Sequence, residues 1–280
     1  MNFRLGIRTS SLFILLVFTL GCSISGNSPR KTTNLDNDSI FVNHIETDTL
    51  FNSNQSIYIL SLDDNLLNKL TIEIGYSKVN LEKTSHIAQQ NNAITAINGS
   101  FFDVDKGGSV TYFEKNDSVI SRTRSSNLKW AKPDSLINGA IILTKNNKLK
   151  IQPSKTDQYY EKSKEEAFAI VSGPLLLSNS LPQKLPNIGF THTRHPRTCL
   201  CKTKDSVLLV VIDGRADNAE GMSLIETQKY LKSIGCVDAI NLDGGGSTTM
   251  WTKNQGVVNN PSDKNGERLV ANAILLLNKK

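Results

Sequence analysis

Apolar residues in this chain gather in short runs, most of them rich in β-branched side chains and stopped by Asn, Asp, Gly or Lys. Val207-Leu208-Leu209-Val210-Val211-Ile212 is unbroken, the pattern of a strand covered on both faces. Ser56–Leu62, Leu70–Tyr76, Ala93–Ile97, Ser109–Phe113, Ile137–Leu143, Phe168–Val171, Val237–Leu242 and Leu269–Leu277 predict further strands. Asn146-Asn147, between Ile141–Thr144 and Lys148–Ile151, predicts a hairpin turn. Helical periodicity is confined to Leu81–Gln90 and Ser223–Ile234. In the second, Leu224, Tyr230, Leu231 and Ile234 share a face, Ser223 and Glu226 have capping-box spacing, and Gly235 supplies a stop. The expected fold is α/β in the mixed α+β sense, a strand-rich single domain over residues 39–280.

Strand, helix and strand follow one another over Val207–Leu242, which predicts a β-α-β unit. A right-handed crossover brings Asp213, in Asp213-Gly214-Arg215, and Asp243, in Asp243-Gly244-Gly245-Gly246-Ser247, to one edge of a sheet, where ligands of such sheets gather. Two carboxylates at one edge suit glycosyl chemistry. One assists the leaving group or meets the oxocarbenium charge, and the other attacks or activates water. Adjacent strands would set them about 5 Å apart and favour a nucleophile; an intervening strand would set them roughly 10 Å apart and favour a base acting on water. Three consecutive glycines imply backbone conformations or contacts that a side chain would block, and their amides can form a nest for an anion. No Lys follows them, so they are not a nucleotide-binding P-loop.

The start of the chain reads as an address. Arg4 and Arg8 precede the apolar stretch Leu12–Phe18, and Thr19-Leu20-Gly21-Cys22 has a small residue before a Cys. Residues 1–21 are expected to be a signal peptide and Cys22 a lipidation site, with a polar tether to residue 38. That places the domain on a bacterial cell envelope, facing periplasm or exterior, and makes the membrane a partner through the lipid. The formal charge of +6 falls when the signal is removed, and the remaining Lys and Arg form no stripe, so nucleic acid is not an expected partner. Of the four cysteines, Cys199, Cys201 and Cys236 remain after lipidation, enough for at most one disulfide. Buried thiols are the expectation.

Asn98-Gly99-Ser100-Phe101-Phe102, Ser172-Gly173-Pro174, His195-Pro196-Arg197-Thr198, Asp213-Gly214-Arg215, Gly221–Glu226, Asn241–Ser247, Asn259-Asn260-Pro261-Ser262-Asp263 and Gly266-Glu267-Arg268 occur in this order. Over roughly residues 90–278 the chain thereby resembles the phosphodiester glycosidases. The resemblance implies hydrolysis of a sugar-1-phosphodiester on an envelope or extracellular glycan, in a cleft at a sheet edge. It further implies a site of Asn98, Arg197, Asp213, Asp243, the Gly244–Gly246 loop and Ser247. Arg197, Arg215 and Arg268 can hold phosphate, since a guanidinium fork is always charged. Asn98 can orient sugar hydroxyls, and Asp213 can activate water or hold Arg197. Glu226 has a full account as a helix cap; His195 can serve as a general base or as a positioning or surface residue, and Phe190 and His192 are expected in a loop over the site. No cofactor is expected. Two alternatives stand beside this reading: phosphodiester cleavage or phosphoglycosyl transfer at phosphorus with a divalent cation on Asp213 and Asp243, and a non-catalytic lipoprotein that binds polysaccharide.

Overall fold

The computed structural model describes residues 34–35, 40–77 and 80–279. The signal peptide, Cys22 and most of the tether lie outside the described residues. Among the described residues, three larger sheets and a two-stranded ribbon of Glu82–Lys83 with Leu269–Val270 form the domain. The largest has eight strands in the order Asn34–Leu35, Ile40–Thr47, Gln55–Asp63, Ser206–Ile212, Arg197–Lys202, Asp238–Asn241, Leu175–Ser178, Leu181–Pro182. A five-stranded sheet runs Leu149–Pro153, Gly139–Thr144, Glu166–Ser172, Phe113–Lys115, Ser118–Ser121. Another runs Gly256–Val257, Met250–Thr252, Thr95–Asn98, Asn272–Asn278, Leu70–Tyr76.

Each pairing in the large sheet is antiparallel. The β-α-β unit is present in a split form. Helix Leu224–Ser233 carries the chain from the Ser206–Ile212 strand to Asp238–Asn241, but Arg197–Lys202 lies between those strands and is antiparallel to both. The two acid-bearing strands therefore point the same way, two strand spacings apart, or roughly 10 Å. Their carboxyl ends share an edge with the amino end of the Arg197 strand.

Alternation along the strands sorts the core. Leu209 and Val211 face inward with Leu60, Leu62, Ile74, Ile97, Phe168 and Ile274, a cluster drawn from all three sheets. Leu208, Val210 and Ile212 face the other way, against Leu224 and Leu231 of the helix. Burial on both sides explains the unbroken apolar run. The helix itself starts as its sequence requires: the Ser223 hydroxyl accepts from the Glu226 amide, and the Glu226 carboxylate accepts from the Ser223 amide. Gly235 ends it at φ +89°.

Some expectations shift. Of Ser109–Phe113, only Phe113 joins a strand, because Ser109 and Thr111 turn their hydroxyls to Phe101 and Ser100. The Leu269–Leu277 segment breaks at Ala271: Val270 pairs with Glu82, and Asn272 onward joins the third sheet. The cysteines also need correction. Cys201 and Cys236 form a disulfide with Cα atoms 5.9 Å apart, while Cys199 is a buried free thiol. Cys201 alone faces the turn after the helix, and Gly235 brings Cys236 back onto the sheet beside it.

This disulfide closes a sequence separation of 35 residues. The chain entropy removed from the unfolded state by a loop of that length is worth about 3–4 kcal/mol. Cys236→Ala should lose roughly that stability in denaturant unfolding under oxidising conditions, and reductant should erase most of the difference from wild type. Equal stability in oxidising buffer would show that the bond constrains nothing.

Candidate active site

Asp213 follows the last residue of the Ser206–Ile212 strand and is buried. Its amide donates to the Ser56 carbonyl at 2.9 Å, which holds the residue at the sheet edge. Oδ1 accepts from Asn259 Nδ2 at 2.8 Å and from the Asn260 amide at 3.1 Å; Oδ2 accepts from the same amide at 3.0 Å and from the Ser56 hydroxyl at 3.5 Å. Loss of water outweighs these donors, and burial pushes the carboxyl up to about 6. Arg197 is not among its partners, so the expectation that Asp213 holds Arg197 is corrected: the donors come from Asn259, Asn260 and Ser56.

Asp243 lies two residues beyond the end of the Asp238–Asn241 strand and is partly exposed. Its backbone is pinned on both sides, the amide donating to the Gly99 carbonyl at 3.0 Å and the carbonyl accepting from Asn98 Nδ2 at 2.6 Å. Asn98 Oδ1 in turn accepts from the Thr198 hydroxyl and the Thr249 amide. The amide expected to orient a sugar is thus fully engaged in joining the Thr95–Asn98 strand to the Asp243 loop, and Asn98 acts as a positioning residue. Desolvation raises the Asp243 pKa, while the Ser247 hydroxyl, the charges of Lys132 and Arg268 and the Gly244 amide oppose it.

The three glycines each meet a different neighbour. A Cβ on Gly244 would lie 2.7 Å from the Pro196 carbonyl, one on Gly245 2.9 Å from Arg215 Nη2, and one on Gly246 inside the Arg268 guanidinium. Gly245 also has φ +61°. Two arginines therefore lie flat against the loop, one per glycine. Arg215 is itself at φ +64°, a conformation that costs a side-chain-bearing residue energy and aims its guanidinium back over the loop. Part of the expected amide nest is already engaged within the loop. The Gly245 amide donates to Pro196, that of Ser247 to Gly244, and that of Thr248 to Gly245, because residues Gly245–Ser247 make a 3-10 turn.

Arg197 differs from the expectation of an open phosphate fork. It is fully buried, its Nε donates to the Met222 carbonyl at 2.8 Å, and its Nη2 donates to the carbonyls of Phe190 and Thr193 at 2.9 and 3.0 Å. Phe190 lies 4.6 Å beneath the guanidinium carbon. Desolvation lowers its pKa to about 10, still well above neutral. Among the described residues its Nη1 has no partner. Arg197 thus anchors the 186–195 loop and contributes field rather than a bidentate grip. Arg268 pairs through Nε with Asp263 Oδ2 at 2.7 Å. Among the described residues Arg215 pairs with no carboxylate; its Nη2 donates to His195 Nδ1 at 3.4 Å. A guanidinium only donates, so the proton of a neutral His195 sits on Nε2. Burial and the nearby Arg197 and Arg215 lower the His195 pKa.

Glu226 is occupied by its cap and by Arg194 at 2.8 Å. His192 bonds Asn187 away from the acids, and Phe190 stacks on His195 at 6.2 Å. Sequence reasoning missed Asn259, Asn260, Ser56 and Lys132 as site residues. The first two sit within a quoted motif, but Ser56 and Lys132 carry no local signal. Among the described residues no three His, Cys, Asp or Glu side chains converge to hold a metal ion.

With this geometry in place, comparison with known proteins is direct. Residues 91–277, well over half the chain, match the family model described as phosphodiester glycosidase. Among solved structures, the chain is similar to the auto-inhibited catalytic domain of zebrafish N-acetylglucosamine-1-phosphodiester alpha-N-acetylglucosaminidase, with TM-score 0.66 and 18% identity over 90% of this chain and 88% of that one. It is also similar to a hypothetical protein from Synechocystis, with TM-score 0.61 and 14% identity over 90% of this chain and 64% of that one. At these identities the likeness establishes the fold. A Bacillus subtilis prophage-derived uncharacterized protein, YomE, is 28% identical over 110 residues, 38% of this chain but only 17% of its own length.

Asp213 yields a test of the site's electrostatics. Its carboxyl titrates about 2 units higher folded than unfolded, so the native state binds the extra proton between about pH 4 and 6. Stability is favoured below that window and lost as pH rises through it, by roughly 2–3 kcal/mol at the limit. Asp213→Asn cannot titrate there. Unfolding free energies measured at pH 4 and pH 7 should fall for wild type more than for the variant by that amount. Parallel pH profiles would show that Asp213 is not desolvated.

Proposed function

Because the chain belongs to the phosphodiester glycosidase family, we propose that it hydrolyses the bond between an anomeric carbon and a phosphodiester oxygen, on a glycan of a bacterial envelope or extracellular surface. The observation that carries this reading is the pairing of two guanidinium groups, Arg215 and Arg268, against a loop that begins with a desolvated acid. An ordinary glycosidase needs a proton donor for its leaving oxygen. Here the leaving group is a phosphate whose negative charge grows as the C–O bond breaks, and fixed cations stabilise that charge directly.

In this mechanism the anomeric C–O electron pair departs with the phosphate oxygen, toward Arg215 and Arg268. Asp243, whose ionised form is favoured by Ser247, Lys132 and Arg268 and disfavoured by desolvation, faces the positive charge that develops on the ring. Asp213 takes a proton from the attacking water, whose oxygen bonds to the anomeric carbon. A carboxyl near 6 is ionised at neutral pH yet basic enough to accept that proton. The intervening Arg197 strand supports a separation with room for water between acid and sugar. Arg197 positions: it ties the covering loop and Met222 to the edge between the two acids.

Hydrolysis in heavy-oxygen water tests the reading. Label is expected in the sugar hydroxyl at the anomeric carbon and not in the phosphate; label in the phosphate would move cleavage to phosphorus and support metal-assisted phosphodiester chemistry instead. Asp243→Asn should fold and lose at least about 10²-fold in kcat, the scale of a positioned acid or base. Saturable binding without turnover would favour the polysaccharide-binding alternative.

The address at the start of the chain, Arg4 and Arg8 followed by an apolar run and Cys22, supports anchoring of this activity to a membrane surface by lipid on Cys22. Cys22→Ala should release the domain from the membrane fraction or block its maturation. Wild-type protein recovered without acylation by mass spectrometry would end this part of the proposal.

A further inference from the structure

Beside the triglycine loop lies a groove of about 630 Å³ that the chemistry above leaves unused. Leu81, Val104, Trp130 and Leu269 line it together with Lys83, Asn265 and Glu267, and Arg268, which also lies against Gly246, and its partner Asp263 complete the lining. Val104 and Leu269 leave 44% and 48% of their surface open, and exposed apolar side chains gathered around one concavity mark a ligand site rather than a solvated face. Trp130 is held in place, its indole N–H donating to Asp105 Oδ2 at 2.9 Å.

Arg268 belongs to both regions. Its guanidinium covers Gly246 on the side of the acids, and its Nε bond to Asp263 fixes it along the groove. A phosphodiester has two ester arms. With the phosphate against Arg268 and the sugar arm over Asp243, the second arm leaves on the groove side. Two of the acidic groups in its lining are already bonded, Glu267 to the Ser85 amide and hydroxyl and Asp263 to Arg268; beyond Lys83 and Asn265 the rest is aliphatic and aromatic, which rewards burial of carbon and leaves the hydroxyls of a second sugar few groups to bond. We infer that the groove receives the hydrocarbon part of the leaving alcohol, so that the substrates are sugar-1-phosphodiesters of an alcohol bearing an alkyl chain. This rests on the phosphodiester glycosidase reading above. The balance of the reaction is unchanged: water adds to the sugar, and the alkyl phosphate monoester leaves.

Two measurements on the full domain test it. The first is kcat/KM for methyl, butyl and octyl esters of N-acetylglucosamine 1-phosphate, with a hexosyl ester for comparison. The second is the Kd of methyl, butyl and octyl phosphate, the product-like probes, by calorimetry, which needs no turnover. Each buried methylene should improve either quantity about three- to fourfold until the groove is filled. The double variant Val104→Ser, Leu269→Ser should flatten both slopes, with circular dichroism confirming its fold. A flat series in both measurements, or a hexosyl ester preferred over the octyl one, overturns the inference. Affinity that rises with chain length while no ester is hydrolysed keeps the groove and overturns the glycosidase reading beneath it.

Discussion

The site depends on how closely polypeptide backbone can approach backbone at Pro196. Three glycines from two loops close on the His195-Pro196 segment: a Cβ on Gly214 would lie 2.8 Å from the Pro196 nitrogen, one on Gly221 2.5 Å from the His195 carbonyl oxygen, and one on Gly244 2.7 Å from the Pro196 carbonyl oxygen. Gly214 follows one acid and Gly244 follows the other. The positions of Asp213 and Asp243 are therefore set by contact with the same short ridge, and any side chain at these glycines would have to push an acid away from it. Packing interiors transmit such shifts rather than absorb them.

Polarity at the edge works against stability and toward chemistry. Asp213 keeps good donors yet sits too far from water for them to restore its ordinary acidity. Arg197 is buried with carbonyl partners instead of a carboxylate, so no ion pair neutralises its charge. Removing one member of such an arrangement leaves the others under-satisfied, so its parts act as a unit. A site assembled for stability alone would have paired the arginine with an acid. Here main-chain carbonyls hold the arginine, and neutral donors from Asn259, Asn260 and Ser56 hold Asp213.

Much of the fold was legible because local rules and tertiary demands agree. The capping box of Ser223 and Glu226, the stop at Gly235 and the turn at Asn146-Asn147 are chemical signals independent of the rest of the chain. The double burial of Val207–Ile212 was legible from its unbroken run. The order of strands was not: nothing in Arg197–Lys202 announces that it inserts between two strands that come later in the chain. The same holds for the site. Asp213, Asp243 and the glycines carry local signatures, but the partners that tune them come from 46 residues downstream at Asn259 and 157 upstream at Ser56. Arg197 reads as a phosphate ligand in sequence because a buried arginine whose partners are main-chain carbonyls leaves no trace in residue identity.

Cys199 lies two residues before Cys201, on the same side of the same strand, within the cluster that also holds Cys236. A third sulfur so placed would ordinarily invite thiol–disulfide shuffling, since attack on the bond needs only a thiolate within reach. Burial pushes the Cys199 thiol up to about 12. At neutral pH its nucleophilic form is then on the order of one molecule in 10⁵. In the folded protein the covalent pairing is thus protected from within: the fold that places a competing sulfur beside the bond also silences it, and isomerisation belongs to the unfolded chain.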